Sequence, residues 1–488
     1  MTETNLFNQA LSRYQAYLTP KQFESLLAET DKEAYSAVRL NLLKATTDIA
    51  ARLTFLSEKY AWETKAVEFS EHALQVVSAQ TAPSQTLEHN LGQFYIQDAA
   101  SMLPVSLFNS SDEPLLKLDM AASPGGKTTQ MIDQSLDRDF VIANDSSLSR
   151  LPALRTVLQN WGTANSMLTN FPGEKWGDWY PETFDQVLLD APCSMESLRV
   201  SASHPHRAIT TDERNRLAVR QLALLVSAAK AVKTGGELVY STCTLAPEED
   251  EAVVSALLEA YPDCFSIDPL PAEQYRVRGL TEFEGQCFHP DLANALRVWP
   301  FDFHTNGFFA VKLIKQNSIP VEYNSPPARE FRLTGYSPLS NDLQRTLESF
   351  FEETYEFDLR NRLEKFKLVP FRKIDQIHLI PQAYLDHFET LPWNAIGMPL
   401  GRFIRDRFEP SVDFILKFGK EFSANVWTLP AESVLQWMKG FDIRGVDLPG
   451  FETGTIIAIR DSEGLNLGAA KYSTKRLRNL LPNRNLMH

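Results

Sequence analysis

The sequence has few cysteines and no long hydrophobic run. Four cysteines in 488 residues, Cys193, Cys243, Cys264 and Cys287, do not make a disulfide framework, so a reducing compartment and free thiols are expected. No run of eighteen apolar residues occurs, and the first residues have neither a basic segment nor an apolar core. We therefore expect neither a membrane span nor a secretory leader, and a soluble, cytoplasmic protein.

Positive charge is also scarce. The net charge of −14 argues against a protein that coats nucleic acid indiscriminately, because such binding depends on neutralising phosphates with Lys and Arg. A local basic patch is still compatible with this total. The chain after Ala470 reverses the balance, since it has no acidic residue and carries Lys471, Lys475, Arg476, Arg478 and Arg484. A solvated polar end and a contact with RNA both explain this tail.

The chain is too long for one compact core, and its 43% apolar content is ample for several. Residues 1–90 alternate helical patterns with polar breaks, which predicts a mostly helical region with helices near 14–27 and 35–55. The second pattern contains polar side chains that could face a ligand, RNA or solvent, namely Arg39, Asn41 and Lys44. No internal repeat is present.

Strands and helices alternate over residues 91–317, which is typical of an open, doubly wound parallel sheet. Strands are predicted at 115–119, 140–143, 166–169, 184–189 and 237–241. A long amphipathic helix is predicted at 213–232, with Gly235 and Gly236 as its carboxyl-terminal stop. Residues 297–303 and 308–314 predict a final antiparallel hairpin.

The amino-acid composition changes after residue 315. A stretch rich in Pro, Asn and Ser marks a linker and accessory region at 318–395. Residues 396–488 contain short β-like runs, near 454–460 and 465–470, separated by turns. They predict a small β-rich module.

One stretch, LLKLDMAASPGGKT at 115–128, predicts a buried strand that ends in a Gly-rich turn and continues as a helix. The glycines let backbone approach a ligand, and the helix beginning near Lys127 directs its free N–H groups into the turn. Residues 121–128 resemble the phosphate-binding loop of a nucleotide hydrolase. Alternatively the turn holds S-adenosylmethionine, with Asp145 of the next strand on its ribose. An ordinary strand-to-helix turn explains the pattern as well.

Two cysteines follow predicted strands directly: Cys193 comes after VLLDAP and Cys243 after ELVYST. Open α/β sheets bind ligands at the carboxyl ends of their strands, so both thiols are expected beside the Gly-rich turn. A thiolate that adds to C6 of cytosine makes C5 nucleophilic enough to take an electrophilic methyl group. Asp190 is suitably close in sequence to hold the exocyclic amine and N3 of the base. Cys264 and Cys287 are expected to be small buried residues.

Four separated motifs, ASPGGKT, DAPCS, STCTLAPEEDE and RVWP followed by GFFAVKL, resemble the motif set of the Sun-type RNA (cytosine-5) methyltransferases. The resemblance covers residues 92–315. It implies a class I methyltransferase fold, S-adenosylmethionine as cofactor, and an enzyme that makes 5-methylcytosine in RNA. In that family the thiol of the TC motif is the nucleophile and the thiol of the PC motif assists product release. These roles fall on Cys243 and Cys193.

The resemblance also implies a cofactor pocket. Its turn residues are Ala122, Ser123, Pro124, Gly125, Gly126, Lys127 and Thr128. Asp145 and Asp190 match two of the family's acidic positions, the third falls on Pro172, and neighbouring Asn170 is the candidate replacement. Cys193 is followed by SMES where the family shows SGEG, so Met195 is expected at the mouth of the site.

Segments LGRFIRDRFEPS and LGAAKYSTKRLRN resemble the branch of this family that methylates 16S rRNA in the decoding region of the small ribosomal subunit. This implies RNA recognition by residues 1–90 and by a PUA-like module at 396–488, with a target base taken out of its stack. No metal or membrane partner is expected. The alternatives are a cytosine-5 methyltransferase acting on tRNA or 23S rRNA, a phosphate-loop NTPase, and a non-catalytic RNA-binding assembly factor.

Overall fold

The computed structural model describes residues 11–30, 32–45, 48–196, 209–405 and 407–487. Its strands are β1 (Ser36–Leu40), β2 (Trp62–Val67), β3 (Ser70–Ala79), β4 (Phe94–Asp98), β5 (Leu116–Asp119), β6 (Phe140–Asn144), β7 (Ser166–Thr169), β8 (Phe184–Asp190), β9 (Val232–Thr242), β10 (Phe265–Ile267), β11 (Glu282–Phe283), β12 (Gln286–Cys287), β13 (Leu296–Val298), β14 (Phe308–Lys315), β15 (Ser337–Pro338), β16 (Leu368–Lys373), β17 (Gln376–Pro381), β18 (Ala395–Ile396), β19 (Met398–Ile404), β20 (Arg407–Pro410), β21 (Val426–Thr428), β22 (Ile443–Arg444), β23 (Ile456–Arg460), β24 (Asn466–Ser473) and β25 (Arg476–Asn479). Its α-helices are α1 (Pro20–Thr30), α2 (Ile49–Lys59), α3 (Leu87–Asn90), α4 (Leu103–Ser106), α5 (Gly126–Asp133), α6 (Leu151–Trp161), α7 (Trp176–Trp179), α8 (Thr211–Ala231), α9 (Glu251–Ala260), α10 (Leu270–Tyr275), α11 (Asn341–Tyr355), α12 (Leu359–Lys365), α13 (Gln382–His387), α14 (Val412–Phe418) and α15 (Ala431–Met438).

The central sheet has the strand order β10-β14-β9-β8-β5-β6-β7-β18, with β13 paired to β14. Strands β5 to β9 are parallel to one another, whereas β14 is antiparallel to β9 and to β10. Successive residues of β8, Val187 and Leu188, are fully buried in two different apolar clusters, so both faces of the sheet are covered. The predicted doubly wound methyltransferase fold is confirmed.

Two details of this region differ from the prediction. Helix α8 ends at Ala231, and Gly235 and Gly236 lie inside β9. The chain becomes extended at Val232 because that residue already pairs with β8. The predicted hairpin exists, but its first strand is only β13, and residues 299–303 form turns.

The amino-terminal region is a mixed α/β unit, so the expectation of mostly helix is wrong in detail. Four antiparallel strands pair in the order β2-β3-β1-β4. The predicted helix at 35–55 divides into β1 and α2, and residues 46 and 47 lie outside the described part. Four of the five residues of β1 are buried, so this strand lacks the alternation that would distinguish it from a helix.

The three polar side chains that were expected to face a ligand, RNA or solvent make internal contacts instead. Arg39 is 2% exposed, forms an ion pair with Asp133 of α5, and donates a hydrogen bond of 2.9 Å to the carbonyl oxygen of Gly126. Asn41 is fully buried. Lys44 donates to backbone carbonyls, and burial lowers its pKa to about 7. Arg39 thus fastens the amino-terminal sheet to the helix that follows the Gly-rich turn, and Asn41 and Lys44 fasten it to the end of α6.

The carboxyl-terminal part contains two further sheets. One has the order β15-β16-β17-β19-β20 and crosses the boundary predicted at residue 395, while β18 joins the central sheet by pairing with β7. The other has the order β21-β23-β24-β25-β22 and contains the strands predicted near 454–460 and 465–470. No helix within the described ranges is long and apolar enough to cross a membrane.

Replacing Arg39 by Met should lower the free energy of unfolding by about 3–5 kcal/mol, because Asp133 would keep a buried carboxylate without its cation. Urea unfolding followed by circular dichroism measures this. The matched change Arg345→Met, at an exposed ion pair, should stay within about 0.5 kcal/mol of the wild type. Equal small losses in both variants would contradict the proposed anchoring role of Arg39.

Candidate active site

The Gly-rich turn connects β5 to α5 and depends on close packing. Gly125 has φ +116°, a conformation that favours glycine, and a Cβ there would lie 2.9 Å from the Val157 side chain. A Cβ at Gly126 would lie 2.8 Å from the side chains of Tyr95 and Gln97. Any larger residue would therefore displace the turn from the helices and strands that support it.

A buried carboxylate, that of Asp119, holds the Gly-rich turn in place. Asp119, the last residue of β5, accepts a hydrogen bond of 2.7 Å from the Thr128 hydroxyl and is 1% exposed. Burial raises the pKa of Asp119 to about 7. Thr128 is itself fully buried, so its side chain serves to fix the turn.

The residues predicted for the cofactor's ribose end come together. Asp145, at the end of β6, accepts hydrogen bonds of 3.2 Å from the Ser123 amide and 2.8 Å from the Ser147 amide. Asn170 donates a hydrogen bond of 2.6 Å to the backbone carbonyl of Asp145. Arg150 donates to the carbonyl of Ser123 from the start of α6. The turn, Asp145 and Asn170 are thus joined by hydrogen bonds into one surface, the cofactor lining.

Two observations fit a bound nucleoside-type cofactor here. The buried Ser123 hydroxyl has no hydrogen-bond partner among the described residues, which leaves it available to a ligand. The carboxylate of Asp145 accepts two hydrogen bonds and pairs with Arg150 at 3.5 Å, which leaves roughly one of its four acceptor positions for a ribose hydroxyl. The donor and acceptor set therefore suits S-adenosylmethionine.

The two predicted thiols meet. Strands β8 and β9 are parallel neighbours in which Asp190 pairs with Ser241, and the Sγ atoms of Cys193 and Cys243 lie 3.3 Å apart just beyond that pair. Both cysteines are half-buried, so the pair is accessible from the crevice. The hydrogen bond with Cys243, together with burial, raises the pKa of Cys193 well above its usual range.

Asp190 lies beside the thiols in a polar network. Its carboxylate accepts hydrogen bonds of 2.8 Å from the Lys127 ammonium and 2.8 Å from the Ser241 hydroxyl. Although burial alone would lower it, the pKa of Lys127 is raised, because Asp190 and Cys243 lie close. The side chain of Lys127 thus faces Asp190 and Cys243, a direction that the turn motif did not reveal.

Glu249 is a residue that the sequence did not single out. It is fully buried, and its Oε2 accepts hydrogen bonds of 2.9 Å from the Ser194 amide and 2.9 Å from the Gln221 amide group. The Tyr240 hydroxyl donates to its backbone carbonyl. Glu249 therefore ties the loop that carries Cys193 to the loop after Cys243. The only signal was the acidic run PEEDE after the TC motif.

The remaining cysteines lie apart from this pair. Cys287 is exposed in β12, so its predicted burial is wrong, and Cys264 is half-buried. Met195 is 51% exposed next to the thiols, at the position expected for the mouth of the site. Within the described ranges, no group of three or more His, Cys, Asp or Glu side chains could hold a metal ion.

Fold and site together define a class I methyltransferase with a pair of thiols in its crevice. The family described as 16S rRNA methyltransferase RsmB/F matches residues 105–314. The ribosomal RNA small subunit methyltransferase F of Aeromonas salmonicida is 31% identical over 96% of this chain and 93% of the relative, and that of Erwinia tasmaniensis is 31% identical over 94% and 92%. The chain therefore belongs to the RsmB/F methyltransferase family.

A solved structure agrees with this assignment. A methyltransferase homologue from Pyrococcus horikoshii is 28% identical, with a TM-score of 0.54 over 62% of this chain and 93% of that one. The similarity therefore covers the methyltransferase fold rather than the whole chain.

Replacing Glu249 by Ala should lower the methyl-transfer rate at least about tenfold, because a small shift of the Cys193 loop misaligns the reacting groups. It should also lower the free energy of unfolding by about 1–3 kcal/mol, since the Ser194 amide would be buried without an acceptor and Gln221 would keep only its hydrogen bond to the Pro192 carbonyl. Turnover and urea unfolding measure the two effects. The control Glu248→Ala, whose carboxylate pairs with Arg13, should keep most of the activity. Full activity of Glu249→Ala would contradict the positioning role.

The stability of the protein should depend on pH through Asp119. The unfolded carboxyl ionises near pH 4 and the folded one near 7, so the folded state retains a proton that the unfolded state releases, and stability falls as pH rises between these values. Between pH 5 and 8, the free energy of unfolding should fall less in Asp119→Asn than in the wild type, by on the order of 2 kcal/mol. Urea unfolding at both pH values measures it. Asp112→Asn, at an exposed carboxylate, is the control and should show the wild-type decline. The same decline in Asp119→Asn would contradict the assignment of this pH dependence to Asp119.

Proposed function

We propose that this protein, in the cytoplasm, transfers a methyl group from S-adenosylmethionine to C5 of a cytosine in 16S rRNA of the small ribosomal subunit, through a covalent bond between Cys243 and C6. One observation carries the proposal: two thiols 3.3 Å apart at the ends of β8 and β9, beside the Gly-rich turn. The named relatives support the RNA substrate. The acidic net charge is compatible with an assembled subunit as the partner, which local patches and shape would recognise.

The thiolate of Cys243 adds to C6 and moves electron density to C5, which then takes the methyl group. S-adenosylmethionine, when bound, supplies that electrophilic methyl group. Lys127 lies close to Cys243 and stabilises its thiolate, while Asp190 orients the exocyclic amine and N3 of the base. The initial attack on carbon thus depends on one cysteine, one lysine and one aspartate.

Product release requires loss of the C5 proton and cleavage of the bond between C6 and Sγ. C5 and C6 are adjacent ring atoms, so a second sulfur 3.3 Å from the nucleophile is within reach of the C5 proton. The main cause that raises the pKa of Cys193 is its hydrogen bond with Cys243, and that cause disappears once Cys243 is bonded to carbon. Cys193 can then release its proton to water, accept the C5 proton, and let Cys243 leave as a thiolate.

The cofactor is assigned to the lining formed by the turn residues 122–128, Asp145 and Asn170. Asp145 would hold a ribose hydroxyl, and Asn170 would take the part of the acidic residue that Pro172 replaces. Calorimetry with S-adenosylmethionine and with ATP tests this pocket directly. Binding of ATP alone would favour a phosphate-loop NTPase instead.

Residues 1–90 and the module at 396–488 are assigned to RNA recognition, with 318–395 as accessory region. The amino-terminal sheet supports the turn through Arg39, so its outer surface is the part left for RNA. Bisulfite sequencing of 16S rRNA from cells with and without the gene identifies the target. A methylated site in tRNA or 23S rRNA instead would correct the substrate and leave the chemistry intact.

Replacing Cys193 by Ala should make a covalent protein–RNA adduct accumulate, because attack and methylation proceed and release fails. Replacing Cys243 by Ala should abolish both adduct and product. Denaturing gel electrophoresis with labelled RNA and methyl transfer from tritiated S-adenosylmethionine measure the two. Cys264→Ala, at a thiol outside the crevice, is the matched control and should behave as the wild type. An active Cys243→Ala enzyme would falsify the proposal.

A further inference from the structure

A cavity of about 770 Å³ separates the edge of the central sheet from the two carboxyl-terminal sheets. Its lining comes from α6 and β7 on one side and from strands of both carboxyl-terminal sheets on the other. None of the residues assigned above to catalysis or cofactor binding lines it. The cavity is therefore a separate feature that the proposed chemistry does not explain.

The cavity concentrates unpaired positive charge. Arg155, Arg402 and Arg478 line it, are exposed, and form no ion pair with any carboxylate of the described residues. Its two acidic lining residues, Glu409 and Asp413, are each already neutralised by another cation. In a chain of net charge −14, three free guanidinium groups around one cavity favour an anionic ligand.

One wall of the same cavity is aromatic. The ring centroid of Tyr336 lies 5.6 Å from that of His378 and 6.1 Å from that of Trp393, and all three residues line the cavity. Tyr336 and Trp393 are half-buried, so their rings are accessible in part. Guanidinium groups combined with accessible aromatic rings are the set that binds single-stranded RNA, because phosphates meet the cations while unpaired bases stack on the rings.

The cavity adjoins the cofactor lining through α6. Arg150, at the start of this helix, donates to the Ser123 carbonyl in the Gly-rich turn. Arg155 follows five residues later, which is about 7.5 Å along a helix. Helix α6 therefore connects the cavity to the region of the Gly-rich turn.

We propose that this cavity binds a single-stranded segment of the substrate RNA that flanks the target cytosine. The inference rests on the proposed function, since it takes RNA as the substrate. It differs from recognition by the carboxyl-terminal module alone, because Arg155 belongs to the catalytic domain whereas Arg402 and Arg478 belong to the two other sheets. The cavity is complete only when the catalytic domain and both carboxyl-terminal sheets are present.

The test uses the full chain without cofactor and a fluorescein-labelled, 20-nucleotide single-stranded RNA of mixed sequence, with binding followed by anisotropy. The triple variant Arg155→Gln, Arg402→Gln and Arg478→Gln should weaken binding by at least about tenfold at 0.1 M salt, and its plot of log K against log salt should be shallower by about 2. The control triple Arg332→Gln, Arg345→Gln and Lys365→Gln removes the same charge at exposed positions outside the cavity and outside the segments assigned to RNA recognition. It should bind nearly as the wild type, and both triples should keep the wild-type melting temperature.

A second measurement does not depend on variants. RNA that contains 4-thiouridine should cross-link to peptides carrying Tyr336 or Trp393, and a duplex of the same sequence should not. Equal loss in both triples, unchanged affinity in the cavity triple, or equal binding of duplex would each overturn the inference. If the wild-type protein methylates no RNA but the cavity triple loses RNA binding, the cavity is an RNA site and the proposed function is wrong. If the wild-type protein methylates RNA but the cavity triple binds RNA unchanged, the proposed function stands and the cavity is not an RNA site.

Discussion

The parallel pairing of β8 with β9 decides where the two thiols lie. Asp190 and Ser241 are partners in that pairing, and Cys193 and Cys243 follow them by three and two residues. Both loops therefore leave the sheet at the same edge and bring their sulfur atoms to 3.3 Å. Neither loop could hold this arrangement alone, because each contributes only one of the two sulfur atoms. The register of two strands is thus the constraint on which the proposed chemistry depends.

Buried charges hold the loops behind the sheet edge. Arg297 is fully buried, donates hydrogen bonds of 2.8 Å to the Leu245 carbonyl and 2.9 Å to Glu251, and also pairs with Asp250. Glu249 joins the same region to the Cys193 loop. Buried ion pairs contribute little net stability against well-packed apolar side chains, but removing one partner is strongly destabilising. We infer that these groups fix one geometry of the loops rather than add to stability.

The central strands and the thiol pair could be predicted because their signals are local. Parallel strands buried on both faces read as short apolar runs, and a cysteine directly after such a run lies at the ligand-binding edge. The amino-terminal sheet could not be predicted, since a short buried strand such as β1 has the same apolar content as a helix. The side-chain orientations of Lys127 and Glu249 could not be predicted either, because their partners Asp190 and Ser194 lie 63 and 55 residues away in sequence.

The most direct measurement of the central claim uses RNA in which 5-fluorocytosine replaces cytosine. Fluorine at C5 cannot leave as a proton does, so the enzyme should stop with its nucleophile bonded to C6. Mass spectrometry of the digested complex from the unmodified protein and S-adenosylmethionine should find a methylated fluorocytosine nucleotide on the peptide that contains Cys243. A nucleotide on the Cys193 peptide, or methylation without any trapped complex, would contradict this account.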